Sequence, residues 1–309
     1  MQKLEHILFL SNPTINQDAA IRQVKQLCQA TGARLTLIDV VPKTNPIWQK
    51  YQESLGDVEG QITKQMRNEL QSLEADFRQS GIQVKSQLEV GRAHEAVIEQ
   101  VKQAPTDLVI VNAHHGQSLK QAFFGSTALH LIRKCPCPVM AVRSGNRQPP
   151  QRVMAAIDLT SDTGFEANRR SMNPDILHSA EYLGKQLHME LHVVQAWQLE
   201  NEGYLQLRGG LEDNIMEELM KDMRSEFVSI TDHYCSEHLA QPLSPGQRHV
   251  VHGHAAHVIA SQSQLHDIDL LVMGTVSRHG LKGLLIGNTA EEILSVTDCS
   301  VLVLKPKDA

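Results

Sequence analysis

The sequence predicts an α/β fold of two tandem Rossmann-like units, each a five-stranded parallel sheet with helices on both faces. Three observations carry this prediction. Short apolar runs alternate with helical patterns along the chain; the alternation occurs twice; and each copy closes on the same small-residue pattern, Gly125-Ser126-Thr127-Ala128 and then Gly287-Asn288-Thr289-Ala290. Positions 125 and 287 differ by 162, so the chain reads as a tandem repeat. At 309 residues it has room for about two domains, each able to bury its own core.

The elements follow in order. In the first half the apolar run Ile7–Leu10 is a strand, followed by a helix near Gln17–Ala30, a strand Arg34–Val40 and a helix near Gln61–Gln79. Strand Val84–Val90, helix His94–Gln103, strand Leu108–Val111, helix Ser126–Arg133 and strand Val139–Val142 complete it. The second half repeats the series as Val153–Ile157, Ile176–Leu187, Glu190–Ala196, Glu212–His238, His249–His252, Ala256–Gln264, Leu270–Met273, Thr289–Ser295 and Val301–Leu304. The two long helices carry apolar residues at helical spacing, Ile62, Met66, Leu70, Leu73 and Phe77 in one, Ile215, Leu219, Met223 and Phe227 in the other, and are expected to pack on the core. Gly145-Asn-Arg-Gln-Pro-Pro-Gln151 is polar and proline-bearing, which gives a first unit of residues 1–144, a linker at 145–151 and a second unit of 152–309. The segments Pro42–Gly60 and Gln198–Leu211 are long for connections, a length associated with lids and ligand walls.

Composition narrows the function. The chain is 41% apolar and 21% charged, as ordinary soluble proteins are, and its 4% aromatic content and net charge of −6 disfavour a nucleic-acid surface. Leu108–Val111 and Leu270–Met273 are far shorter than the roughly 20 residues of a membrane helix, and the start of the chain lacks the long apolar region of a secretory signal. No membrane insertion and a cytoplasmic location are therefore expected. The five cysteines form no disulfide framework in a chain of this size; Cys135-Pro136-Cys137 has one intervening residue rather than two, and only Cys137 is repeated, as Cys299. They read as buried, reduced thiols.

In an open parallel sheet a ligand binds beyond the carboxyl ends of the strands, where the strand order reverses, so the first and fourth strands of each unit should border the site. In the second half Asp158 ends the first strand, and the fourth runs into Gly274-Thr-Val-Ser277-Arg-His-Gly280-Leu-Lys-Gly283-Leu-Leu-Ile-Gly287-Asn288-Thr289. Small residues and free backbone N–H groups between a buried strand and a helix start suit a phosphate. This order resembles the universal stress protein family, whose nucleotide-binding members carry a G-x2-G-x9-G-[S/T] loop after the fourth strand. With its duplication and its Arg133-Lys134-Cys135-Pro136-Cys137-Pro138-Val139 segment, the chain is most similar to the tandem, E-type branch of gamma-proteobacteria.

The resemblance implies ATP as a candidate ligand, with Asp158 meeting the adenine end and Gly274, Ser277, Gly287, Asn288 and Thr289 along the phosphates. Ser277 stands where the family has its middle glycine, and Asn288 where it has Ser or Thr, leaving Thr289 one position late. In the first half the equivalents are Asn12, Asn112, His115, Gly125 and Ser126, so only the last two match and that site is expected to be degenerate. The resemblance also implies pairing through last strands, which a tandem chain can make internally between Val139–Val142 and Val301–Leu304, with a homodimer as a further arrangement.

Two other readings stand beside this one. His249, His252, His254 and His257 form a short histidine-rich segment that could hold a metal, although alternation along a strand separates neighbouring side chains. Catalytic motifs are missing: the sequence has no Gly-x-Ser-x-Gly elbow, no His-Glu-x-x-His and no Walker loop. The expectation is a non-catalytic stress-response protein that binds ATP or another small ligand in its second half, the alternatives being slow nucleotide hydrolysis, carriage of an apolar ligand, or a purely protein-interacting role.

Overall fold

The computed structural model describes residues 3–43, 58–113, 124–144, 149–159, 172–199, 213–275 and 286–306. The first half runs β1 (His6–Leu10), α1 (Asp18–Thr31), β2 (Arg34–Val41), α2 (Val58–Gln79), β3 (Val84–Val90), α3 (Ala93–Gln103), β4 (Leu108–Ala113), α4 (Ser126–Lys134) and β5 (Val139–Arg143). The second runs β6 (Arg152–Ile157), α5 (Asn173–Leu187), β7 (Glu190–Trp197), α6 (Asp213–His238), β8 (Arg248–His252), α7 (Ala255–Leu265), β9 (Leu270–Gly274), α8 (Asn288–Val296) and β10 (Ser300–Leu304). Much of the expected linker, residues 145–148, lies outside the described residues, as do the middles of both long connections.

The ten strands form one sheet in the order β3-β2-β1-β4-β5-β10-β9-β6-β7-β8. Within each half all pairings are parallel, as the alternation of strands and crossover helices requires. The halves meet through one antiparallel pair, Val301 opposite Ala141, Leu302 opposite Met140 and Val303 opposite Val139. The expected internal pairing of last strands is therefore present, and it leaves neither β5 nor β10 as an open edge. Because β5 and β10 run in opposite directions, the carboxyl ends of the two parallel halves, and the reversal points between β1 and β4 and between β6 and β9, face opposite ends of the sheet.

Central strands are buried on both faces and so are continuous apolar runs; His6–Leu10 and Ser300–Leu304 are buried throughout. Two core layers result. One lies under α1, α2, α5 and α6 and joins Phe9, Leu27 and Phe77 to Leu177, Val193 and Leu302. The other lies under α3, α4, α7 and α8 and joins Leu8, Val97 and Leu131 to Ile259, Ile293 and Val303. Each layer crosses the β5–β10 seam without interruption.

The long helices depart from expectation. In α2 the buried apolar residues are Leu70 and Phe77, while Ile62 is 42% exposed, and in α6 Ile215 is 46% exposed. At about 1.5 Å per residue, α2 and α6, of 22 and 26 residues, are longer than the strands they pack against, β2 and β3 of 8 and 7 residues and β8 of 5, and the exposed Ile62 and Ile215 fall in the amino-terminal stretch of each stripe.

Candidate functional site

In the second half, the backbone on either side of Asp158 is fixed by two buried amides. Asp158 N–H donates to Asn173 Oδ1 at 3.0 Å, and Asn173 Nδ2 returns a bond to the Asp158 carbonyl at 2.8 Å. Leu159 N–H donates to Gln195 Oε1 at 2.9 Å from the buried middle of β7. Residue 158 itself is exposed. The neighbouring strand β9 ends at Gly274, where a Cβ would meet Met172 Sδ at 3.1 Å and Ile176 Cδ1 at 3.5 Å.

Beyond Gly274 the chain returns to the same edge: Gly287 N–H donates to the Thr275 carbonyl at 2.9 Å. Gly287 then caps α8 in an extended conformation, with φ −67° and ψ 152°, and Asn288 and Thr289 form its first turn, where backbone N–H groups lack intrahelical partners. Asp158, Gly274, Gly287, Asn288 and Thr289 are thus grouped around the β6–β9 boundary, while Ser277 lies outside the described residues. Asn173, Gln195 and Met172 border this candidate site, and the sequence did not reveal them. Their apolar or amide character is unremarkable until the fold brings α5 and β7 beside the end of β6.

The first half treats the equivalent point differently. Asn112, buried at the end of β4, donates through Nδ2 to the Asn16 carbonyl at 2.6 Å, and Ser144 Oγ donates to the same oxygen at 3.1 Å. Asn12 Oδ1 accepts from Thr14 N–H and Thr14 Oγ, and Asn12 N–H donates to Gln17 Oε1 at 3.0 Å. The β1–α1 connection is therefore a tied turn, bonded down onto β4 across the reversal point. Gly125, with φ 78°, and Ser126 still start α4, and His115 lies outside the described residues. A cleft of about 430 Å³ lies to one side, lined by Ser11, Pro13, Gln17, Asp39, Glu69 and Asp76 among others. Burial pushes the Asp39 carboxyl upward, and its carboxylate neighbours make this cleft unsuited to phosphate.

The four histidines of the metal reading occupy three environments. His249 is buried, its Nε2 3.0 Å from His192 Nδ1 and its ring stacked on His266 at 3.9 Å between centroids. His252 packs on Trp197, while His254 and His257 each come within 4 Å of Glu292. Alternation along β8 separates His249 from His252, while His254 and His257 lie beyond the strand at the start of α7, and among the described residues no group of three or more metal-binding side chains converges. His192 and His266 are the partners of His249 that the sequence, read locally, did not show. Glu291, in the first turn of α8, pairs with Arg133 of α4 at 2.9 Å across the seam.

Comparison with known proteins matches this architecture. The profile of the Universal stress protein family matches residues 3–143 and 150–305. The chain is 24% identical to the Universal stress protein E homolog of Haemophilus influenzae over 98% of both chains. It is 29% identical to Universal stress protein E of Escherichia coli K12, over 70% of this chain and 66% of that one. A crystal structure of a functionally unknown protein from Pseudomonas aeruginosa PAO1 superposes with a TM-score of 0.72 at 22% identity, over 99% of this chain and 94% of the other. No described helix is long and apolar enough to cross a membrane. Two matched stretches, one in each half of a continuous ten-stranded sheet, place the chain in the universal stress protein family, in its tandem, E-type form.

Proposed function

We infer that the chain is a stress-response protein whose second half binds one small ligand, a nucleotide such as ATP, at the β6–β9 boundary, while the first half serves structure and pairing. One contrast supports this reading. At the end of β4 the Asn112 amide fastens the β1–α1 turn over the reversal point, whereas at the end of β9 stands Gly274, with no side chain to do so. What faces Gly274 is Met172, an unbranched thioether that adapts its rotamers readily. The exposed Asp158 and the N–H groups of the first turn of α8, which have no partners within the helix, suit the two ends of a nucleotide. The role proposed is binding, since neither the sequence motifs nor the grouped side chains pair a nucleophile with a base.

Isothermal titration with ATP and Mg²⁺ tests it. The expected result is one site per chain, weakened by Asp158→Ala and abolished by Gly274→Asn, which installs the residue of the first half. Two equivalent sites, or one site indifferent to both substitutions, would overturn the assignment.

A further inference from the structure

Cys135 and Cys137 stand apart from the ligand site and from the other three cysteines. Cys135 ends α4, its N–H bonded to the Leu131 carbonyl at 2.8 Å, and the Pro136 turn brings Cys137 back so that the two sulfurs lie 3.6 Å apart. Both thiols are buried, with Cys137 8% exposed. Across the β5–β10 seam Lys305, which follows β10, donates from Nζ to the Ile132 carbonyl, one turn before Cys135, and its charge acts on both thiols. The second repeat supplies the comparison. There Thr297 stands for Cys135, leaving Cys299 without a thiol neighbour at that place, and burial pushes its thiol up to about 12.

We propose that Cys135 and Cys137 form a reversible intrachain disulfide, a modification site in which Lys305 from the other half holds the attacking thiolate. The chemistry is that of a dithiol with a peroxide. One sulfur loses its proton and attacks a peroxide oxygen; the O–O bond breaks and hydroxide leaves, taking up a proton to become water. The second sulfur then attacks the resulting sulfenic sulfur, the S–O bond breaks, and a second water leaves as the S–S bond forms. Two thiols and one hydrogen peroxide give one disulfide and two waters, the sulfurs supplying both electrons.

Several features of the site favour this step. The hydrogen bond from Cys137 draws the Cys135 thiol below its usual range against the opposing effect of burial, the Lys305 charge adding a smaller pull in the same direction, and the partner thiol is raised by that same hydrogen bond and by burial. Burial draws Lys305 down to about 8, while the two thiols oppose that fall. At 3.6 Å the two sulfurs share one S–H, so the first proton leaves more easily than the second, the pattern of a thiolate held by its neighbour's S–H. An ammonium beside the sulfurs favours thiolate and disfavours a bound metal cation, which is why a redox role fits better than metal ligation. Closure needs the sulfurs to approach to about 2.05 Å across one intervening residue, Pro136, in the four-residue segment 135–138 between α4 and β5. A ring that small is strained, and strained disulfides are the readily reduced ones.

The test is thiol counting on the folded, full-length chain. After treatment with stoichiometric hydrogen peroxide, the protein is denatured, alkylated and weighed intact, then digested with trypsin. The expected result is a fall from five alkylatable thiols to three, restored by dithiothreitol, with the two missing hydrogens located in the peptide Cys135–Arg143. Cys299, Cys28 and Cys235 should stay reduced under the same treatment. Lys305→Met should slow closure severalfold, because the thiolate loses a cation that favours it, and Lys305→Arg should restore it; circular dichroism of each variant checks folding. Five thiols surviving in the folded wild type, oxidation spread evenly over all five, or a rate unchanged in a folded Lys305→Met would each overturn the proposal.

Discussion

Arg143 and Lys305, separated by the same 162 positions as the glycine motifs, cross the β5–β10 seam in opposite directions, each cation entering the other half. Arg143 closes β5 and reaches the β10 side: its N–H donates to Ser300 Oγ at 3.1 Å and its Nη1 lies 3.7 Å from Asp298. Lys305 directly follows β10 and reaches the Ile132 carbonyl on the β5 side, where its charge acts on the Cys135–Cys137 pair. Burial lowers both cations, with Asp298 opposing the shift at Arg143. The repeat therefore behaves as an internal two-fold in which one chain supplies both members of an isologous contact. The two copies have diverged in what the exchanged cation faces.

The continuous core layers predict that the halves unfold together. Leu302, fully buried opposite Met140, belongs to the layer that also holds Phe9 and Leu177. Leu302→Ala should cost about 2–5 kcal/mol, and urea unfolding should remain a single transition at a lower midpoint. Two separated transitions, with only one displaced, would show that the halves fold independently.

A pair of carboxylates should contribute equally to the two halves. Asp107 Oδ2 accepts from Glu5 N–H and His6 N–H, both at 2.8 Å, and Asp269 Oδ2 accepts from Gln151 N–H at 2.7 Å and Arg152 N–H at 3.0 Å. Each ties the entry of the first strand to the entry of the fourth. Asp107→Asn and Asp269→Asn should each cost about 1–3 kcal/mol, because they weaken charge-assisted bonds to backbone donors. The two sites share no partner, so the double variant should be additive within about 0.5 kcal/mol.

The buried histidines predict acid sensitivity at the β8 edge. Burial draws His192 below its usual value and His249 to about 4, and His266 and His192 push His249 further down. Glu190, 3.6 Å from His192 Nε2, opposes the shift of His192, and Arg152 and Asp267 also border the cluster. His249 is neutral in the folded chain down to about pH 4, and His192 is shifted in the same direction, so between about pH 4 and the usual imidazole value the unfolded chain binds more protons. Their contribution is complete above that range and is lost as pH falls through it, by at most about 1.4 kcal/mol per pH unit per proton. His249→Gln should flatten the stability profile between pH 6.5 and 4.5; a slope equal to that of the wild type would assign the acid sensitivity to other groups.

Closure of the first-half reversal point should rest on one amide. Asn112→Ala removes the bond to the Asn16 carbonyl but leaves that of Ser144, and the Asn112 Oδ1 atom has no partner to lose among the described residues. The expected cost is below about 1.5 kcal/mol. Hydrogen exchange should rise in the 12–18 segment and stay unchanged in β4 itself. Unchanged protection of 12–18 would mean that the Asn12, Thr14 and Gln17 bonds hold the turn unaided.

The sequence by itself determined the order of elements, the two repeats and the parallel pairing within each half. These depend on local periodicity and on the short reach of crossover connections, both of which are written in consecutive residues. It also marked Asp158, Gly274 and Gly287, because a glycine loop between strand and helix keeps its spacing in the chain. The tertiary structure decided what those residues meet. Asn112 reads as a lost glycine until the Asn16 carbonyl is seen against it, and His249 reads as one of a local histidine run until the sheet sets His192 and His266 beside it. Cys135-Pro136-Cys137 likewise gains its cation only when β10 runs antiparallel to β5 and delivers Lys305 across the seam. Partners such as these lie from 17 to 173 positions apart in the chain, and packing, which has no local period, brings them together.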